Sequence, residues 1–280
     1  MNDYELKRVL NGHSGCKIFL MANSSGNKIV RKISKDLAYN ERLKLQCDKQ
    51  KRFHSTTNAI HTPKILSYGI NNDGLFFFDM QYISGTTLSD YLRDVDTDEI
   101  ARIVNKLSFP LKYSINKADG LAQRIFLIKI NSLRQKIEDS LPLYALDFLT
   151  DYDWKNFPQS PCHGDLTTEN IIISNGEFYF IDFLDSFYDC FILDFADLLQ
   201  DVQLLWHYRF EKLNDTTKLN LKIFSDLLLE KILNHNIALR DVYCTLFLKL
   251  IRIYPYVKDS TTADFLSKNI KSILHFIKTL

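Results

Sequence analysis

The sequence predicts an α+β fold in two parts: a small antiparallel sheet with one helix, then a mostly helical region. Three observations predict it. Short β-prone runs separated by Gly- and Asn-rich turns fill residues 1–82. Apolar residues recur at spacings of three and four through most of residues 83–280. One pair of short runs rich in Ile, Phe and Tyr, at 170–183, interrupts those helices. The chain has 280 residues, 46% hydrophobic and 25% charged, with 9 Gly and 6 Pro. That composition can bury a sizeable core and excludes a disordered tail, a collagen-like fibre and a low-complexity linker.

In chain order, an early strand is expected near residues 4–10, and two more at 16–22 and 28–34 around a Ser/Gly/Asn turn at 23–27. Residues 36–54 lack Gly and Pro and carry Leu43, Leu45, Lys49 and Phe53 among many charges, which predicts an exposed helix. Two further strands, 63–68 and 75–82, flank the turn Asn71-Asn72-Asp73-Gly74. After Ser84-Gly85 the period changes, and 87–92, 99–107, 124–140, 218–234, 237–254 and 263–279 read as helices. The island at 170–174 and 177–183, turning at Gly176, reads as a small hairpin. The expected division is residues 1–82 and residues 83–280.

Thirty-five Lys and Arg against 34 Asp and Glu leave a net charge of +1, so no global field recruits nucleic acid. The five cysteines are scattered with no CxxC pair, which argues for reduced thiols rather than disulfides or zinc. The first residues carry acids and no apolar run of a secretory leader, and no stretch nears the ~18 apolar residues that span a bilayer. The segment 242–253 is broken by Lys249 and Arg252. A cytoplasmic protein without membrane insertion is expected.

The chemistry concentrates in Cys162-His163-Gly164-Asp165-Leu166-Thr167-Thr168-Glu169-Asn170, followed by Ile181-Asp182-Phe183. His-x-Asp-x4-Asn, then an apolar strand ending in Asp, resembles the catalytic and metal loops of protein-kinase-like enzymes. The form with His-Gly-Asp and Ile-Asp-Phe resembles the aminoglycoside phosphotransferase and choline kinase family. The resemblance implies a protein-kinase-like bilobal fold, with residues 1–82 as the nucleotide-binding lobe and 83–280 carrying the catalytic loop and acceptor pocket. It implies a kinase that uses ATP (or GTP) and Mg²⁺ to phosphorylate a hydroxyl of a small molecule. By resemblance Asp165 accepts or orients the acceptor's proton, Asn170 and Asp182 hold the metal through hard oxygens, and His163 braces the loop.

Upstream, Asn11-Gly12-His13-Ser14-Gly15-Cys16 opens the first hairpin, and Gly12, Ser14 and Gly15 are candidates for approach to phosphate oxygens. Val30-Arg31-Lys32-Ile33 resembles the strand that carries the phosphate-binding lysine, and strand alternation sets Val30 and Lys32 on one face, Arg31 and Ile33 on the other. Lys32 is the candidate for the α- and β-phosphates. A carboxylate on the following helix should fix it: Asp48 stands at the spacing the resemblance favours, and Glu41 is the alternative. The adenine edge would meet backbone groups around Gln81 and Ile83, where the last strand leads into the helices.

The class of kinase follows from what surrounds the motif. Gly164 stands where protein kinases carry an Arg that receives a phosphorylated loop, only eleven residues separate Asp182 from Asp194, and no Ala-Pro-Glu follows. By resemblance Asp194 braces the active-site loops. Asp185 reads equally as a second functional carboxylate, a helix cap or a solvated acid. Gln200, Asp201 and Trp206, on the next helix, are candidates to face the acceptor, with Trp206 expected in the core. Residues 201–280 hold 12 Lys and Arg against 8 Asp and Glu. This favours a neutral or anionic acceptor such as a sugar over a polycationic antibiotic. Relatives with the same Ile-Asp-Phe-Leu-Asp signature are associated with bacterial surface-polysaccharide synthesis. A choline- or ethanolamine-type kinase, an aminoglycoside kinase and a nucleotide-binding pseudokinase are the competing readings.

Overall fold

Alternating apolar residues next to Gly- and Asn-rich turns build a five-stranded antiparallel sheet from β1 (Glu5–Leu10), β2 (Lys17–Ala22), β3 (Lys28–Ile33), β4 (Ile65–Ile70) and β5 (Phe76–Gln81), in the order β1-β2-β3-β5-β4. These elements come from a computed structural model that describes residues 4–10, 12, 15–56, 60–108, 116–117 and 120–280. Two compact units result: residues 1–86 with 170–185, and residues 87–169 with 186–280.

In the first unit, α1 (Asn40–Thr56) follows a 3-10 turn at Leu37–Tyr39. The expectation of an exposed helix is corrected: Leu43, Gln46, Cys47, Lys49, Gln50 and Phe53 are buried, while Leu45 is exposed. Leu43 and Cys47 pack with Cys16, Phe76, Phe78 and Met80 into the sheet's core. The helix's many charges hid its narrow apolar stripe. On the sheet's other face, Arg31 and Asp79 lie directly opposite in register and form a two-pronged ion pair at 2.6 and 2.8 Å, with Ser67 donating to the same carboxylate at 2.7 Å.

The hairpin Ile171–Ser174 with Glu177–Phe180 also belongs to this unit. His61 joins it through two backbone hydrogen bonds, from its N–H to Phe178 O (2.8 Å) and from Phe180 N–H to its own O (2.9 Å). Phe53 covers it, with ring centroids 5.8 Å from Phe180 and 5.1 Å from Phe183. The segment after β5 crosses the hairpin so closely that a Cβ on Gly85 would stand 2.3 Å from Ile173 O and 2.6 Å from Ile172 Cγ2. Gly85→Ala must push backbone apart, so a loss of about 1–3 kcal/mol is expected. Urea unfolding checks this, and an unchanged midpoint would show that the hairpin yields.

The second unit is helical: α2 (Leu88–Tyr91), α3 (Thr97–Leu107), α4 (Leu121–Arg134), α5 (Ser140–Thr150), α6 (Phe191–Val202), α7 (Asp215–Asn234), α8 (Leu239–Ile251) and α9 (Ser260–Thr279). Every residue of α6 is buried, as is α8 from Val242 onward, and these two helices pack together as the unit's centre. The sequence pattern left α5 unassigned. Pro142 lies in its first turn, where no intrahelical N–H is required, so this proline does not break the helix. Trp206 falls after the end of α6 and is only half-buried, against Phe265 and under Arg209; the expected helical core position is corrected. All five cysteines are buried free thiols. Among the described residues no helix is long and apolar enough to cross a membrane.

Candidate active site

In the first unit, β3 carries Lys32 inward, where 2% of it stays exposed. A buried ammonium needs compensating acceptors. It has an ion pair with Asp182 and a longer contact to Gln46 Oε1 at 3.4 Å. Asp182 itself holds a left-handed backbone (φ 58°), a conformation Asp tolerates better than most residues. Asn170 O accepts from Ile181 N–H at 2.9 Å, so residues 170 and 182 stand at one end of the hairpin.

The expected carboxylate partner on α1 is corrected. Asp48 is 46% exposed and pairs with Lys51 at 3.5 Å, and Glu41 is exposed. Gln46 takes the position instead, because its place on α1 faces the sheet while Asp48 is turned away from it. The Gln46 amide also donates to Tyr39 Oη (3.2 Å) and to Asp185 Oδ1 (3.3 Å), and Asp185 is held by Arg42 Nε at 2.8 Å. Lys32 is thus linked through a neutral amide to a second acid. A search for carboxylates passes over Gln46, and no sequence signal marks it.

Of the remaining first-unit candidates, Gly12 is exposed and Gly15 adopts φ 77°. Ser14 lies outside the described residues. Ile83 is buried, and the Gln81 N–H is already engaged by Lys64 O at 2.9 Å, which leaves that donor occupied by the strand pairing.

In the second unit, three acids of α6 hold the loop that begins at His163. Asp194 accepts from the backbone N–H groups of His163 (2.6 Å) and Gly164 (2.8 Å). Gly164 sits at φ 96°, so a side chain there would be strained, a reason for Gly rather than Arg at this position. His163 is fully buried, and its Nδ1 accepts from Asp165 N–H at 3.3 Å. Asp201 accepts from Thr168 N–H (2.8 Å) and Thr168 Oγ1 (2.9 Å). The expectation that Gln200 and Asp201 face an acceptor is corrected, since both are buried and Asp201 is a loop anchor. Asp197 pairs with Lys249 of α8 at 2.7 Å, and Lys249 Nζ also lies 3.5 Å from Gly164 O. Arg252, just past α8, stands 3.5 Å from Asp165 Oδ1. Lys249 and Arg252 escaped the sequence reading, which used them only to break an apolar run.

Burial pushes the Asp201 carboxyl up to about 6 from an ordinary 3.8, against the pull of its two Thr168 hydrogen bonds. Between those values the folded chain keeps a proton that the unfolded chain has released. The group's contribution to stability is therefore full at low pH and is lost as pH rises toward 6, by about 3 kcal/mol at ~1.36 kcal/mol per unit. Asp201→Asn keeps an oxygen for Thr168 and cannot ionise. It should gain stability relative to the parent between pH 4 and pH 7, measured as urea midpoints; parallel pH curves for the two proteins would exclude this.

Among curated proteins none matches the sequence. Solved structures share the fold at low identity. An aminoglycoside phosphotransferase APH(4)-Ia, as a thermostable mutant in a ternary complex with AMP-PNP and hygromycin B, superposes with TM-score 0.64 at 15% identity, covering 97% of this chain and 93% of that one. An amicoumacin kinase in complex with AMP-PNP, Ca²⁺ and Ami gives 0.58 at 16% identity, over 95% and 87%. A putative fructosamine-3-kinase of Thermobifida fusca gives 0.57 at 12%, over 97% and 95%. Residues 5–214 match the phosphotransferase enzyme family. The chain belongs to that family, and it is an ATP-dependent small-molecule phosphotransferase with a protein-kinase-like fold.

Proposed function

We propose that this kinase transfers the γ-phosphoryl group of Mg²⁺-ATP to a hydroxyl of a sugar or sugar derivative. In this reading the nucleotide-binding part centres on residues 1–82 and the acceptor side lies within residues 83–280. The observation that carries it is the end of the 170–182 hairpin, where Asn170 and Asp182 stand together with the buried Lys32 on the Asp182 carboxylate. The donor chemistry there fits magnesium: one carboxylate and one amide oxygen, both hard ligands, would hold the ion. Among the described residues no cluster of three His, Cys, Asp or Glu side chains forms a protein cage, and a metal shared with a nucleotide requires none. Asn170 and Asp182 would hold the ion, and the chemistry it would supply when bound is neutralisation of charge on the transferring group.

The chain's own residues do the rest. Lys32 pairs with the α- and β-phosphates, and Gln46 with Asp185 keeps it oriented. Asp165 accepts or orients the acceptor's proton, on a loop whose backbone Asp194 and Asp201 hold in place. Gly12, Ser14 and Gly15 approach the phosphates, and backbone groups near Ile83 meet the purine. The cationic balance of residues 201–280 supports a sugar over an aminoglycoside, and the Ile-Asp-Phe-Leu-Asp signature supports a place in surface-polysaccharide metabolism.

The test is ATP consumption across a library of sugars, sugar acids, amino sugars, choline and aminoglycosides, with the Asp165→Asn protein as blank. A sugar or sugar derivative consumed by the parent and not by the blank supports the reading. Preference for choline or an aminoglycoside replaces the acceptor class. A protein that fails to bind Mg²⁺-ATP in thermal shift is a binding module and no kinase.

A further inference from the structure

Among the described residues, two guanidinium groups of the second unit, Arg252 and Arg209, have no carboxylate closer than 3.5 Å. Arg252 touches Asp165 through one nitrogen at 3.5 Å, a long contact without the fork geometry of a strong pair, and it is 35% exposed against 26% for Asp165. Among the described residues its other N–H donors have no acceptor. Arg209 is half-buried, lying 3.8 Å over the Trp206 ring and 4.3 Å over Phe210. It donates to neutral oxygens, Thr262 Oγ1 at 3.3 Å and Trp206 O at 3.0 Å. Among the described residues no carboxylate stands within ion-pair distance of it, and burial lowers its pKa.

Arg252 faces Asp165, and the charge of Glu169, on the same loop, is felt by Arg209. Asp165 and Asp197 act electrostatically with Arg252, while Arg209 feels Asp259 most strongly and then Asp201 and Glu169. Asp197 and Asp201 are one turn apart on α6, and Asp165 and Glu169 are the two acids of the loop. Of the other basic groups here, Lys249 is already satisfied by Asp197, and His207 stands 3.2 Å from Glu169, which raises its pKa. A cationic acceptor approaching Asp165 would meet a guanidinium first. An anionic one would find N–H donors that no close carboxylate engages.

We propose that Arg252, supported by Arg209, forms an oxyanion subsite beside Asp165 that grips a carboxylate or phosphate on the same molecule that presents the acceptor hydroxyl. The acceptor class is then an anionic polyol, such as a sugar acid or a sugar phosphate. This rests on reading Asp165 as the acceptor-side carboxylate and deepens that reading.

The experiment measures binding, by calorimetry at constant ionic strength in the presence of AMP-PNP and Mg²⁺, of four probes: glucose, glucosamine, glucuronate and glucose 6-phosphate. At least one anionic probe should bind tenfold or more tighter than glucose, and glucosamine no tighter than glucose. The glucuronate and phosphate arms tell the two oxyanions apart. Arg252→Gln should erase the ratio and Arg252→Lys retain part of it. Asp165→Asn should keep or raise the ratio, because the competing carboxylate charge is gone. Tightest binding of glucosamine, no probe separated from glucose, or a ratio unchanged in Arg252→Gln would overturn the proposal. AMP-PNP binding is read in the same samples. Its absence is a failure of the kinase reading, whereas nucleotide binding without anion preference is a failure of the subsite alone.

Discussion

Asp165→Asn is expected to leave the protein folded and able to bind Mg²⁺-ATP while phosphoryl transfer falls by about 10²–10⁴-fold, the range for removal of a positioned acid–base group. The separation of effects follows from how the loop is held. Its backbone hangs on Asp194 through the N–H groups of 163 and 164, and on Asp201 through Thr168. None of those bonds uses the Asp165 side chain. The substitution is near-isosteric at a partly exposed position, so surroundings relax little, and the nearby Arg252 loses a long ion-pair contact of small worth. The loss should therefore appear in kcat, with nucleotide affinity and melting temperature close to the parent's. Steady-state kinetics on the acceptor found by the library, beside nucleotide titration, measures both. Parental turnover in the variant would remove Asp165 from the chemistry and send the search for the proton's partner to another residue.

How much of this was legible beforehand differs by the range of the interaction. The turns at 23–27 and 71–74 and the alternating runs beside them are local signals, and the strands of the sheet appear where those signals put them. The hairpin between Asn170 and Asp182 is likewise local, which is why two motif residues twelve apart come to one end of it. What stayed hidden depends on partners distant in the chain. Whether Gln46 or Asp48 meets Lys32 turns on the rotation of α1 against the sheet, and a helix dense in charge gives a weak pattern for that rotation. Asp201 reads as a polar residue free to meet a ligand, yet Thr168, thirty-three residues earlier, claims it. Lys249 and Arg252 interrupt an apolar helix and look like solvent positions. Only the fold shows that Asp197 of α6 and Asp165 of the loop lie opposite them.

Lys249→Met is the substitution expected to cost the most stability, about 3–5 kcal/mol at pH 7, the cost of stranding one member of a buried ion pair. Both partners are almost wholly enclosed, and among the described residues Asp197 Oδ1 already has no hydrogen-bond donor. Burial pushes the Asp197 carboxyl up to about 6 even with Lys249 beside it, and Lys249 is the largest influence holding it down. Without the ammonium the carboxyl rises further. The folded variant then keeps its proton to higher pH, and the deficit against the parent should shrink as pH falls from 7 toward 5. Asp197→Asn in the same chain removes the stranded charge and should restore most of the loss, so a double-mutant cycle in urea isolates the pair from general repacking. Turnover should fall as well, because Lys249 also lies against the Gly164 carbonyl and its removal loosens the loop next to Asp165. A single variant as stable as the parent, or a double variant no better than the single, would mean that water reaches Asp197. The loop would then be held by Asp194 and Asp201 alone.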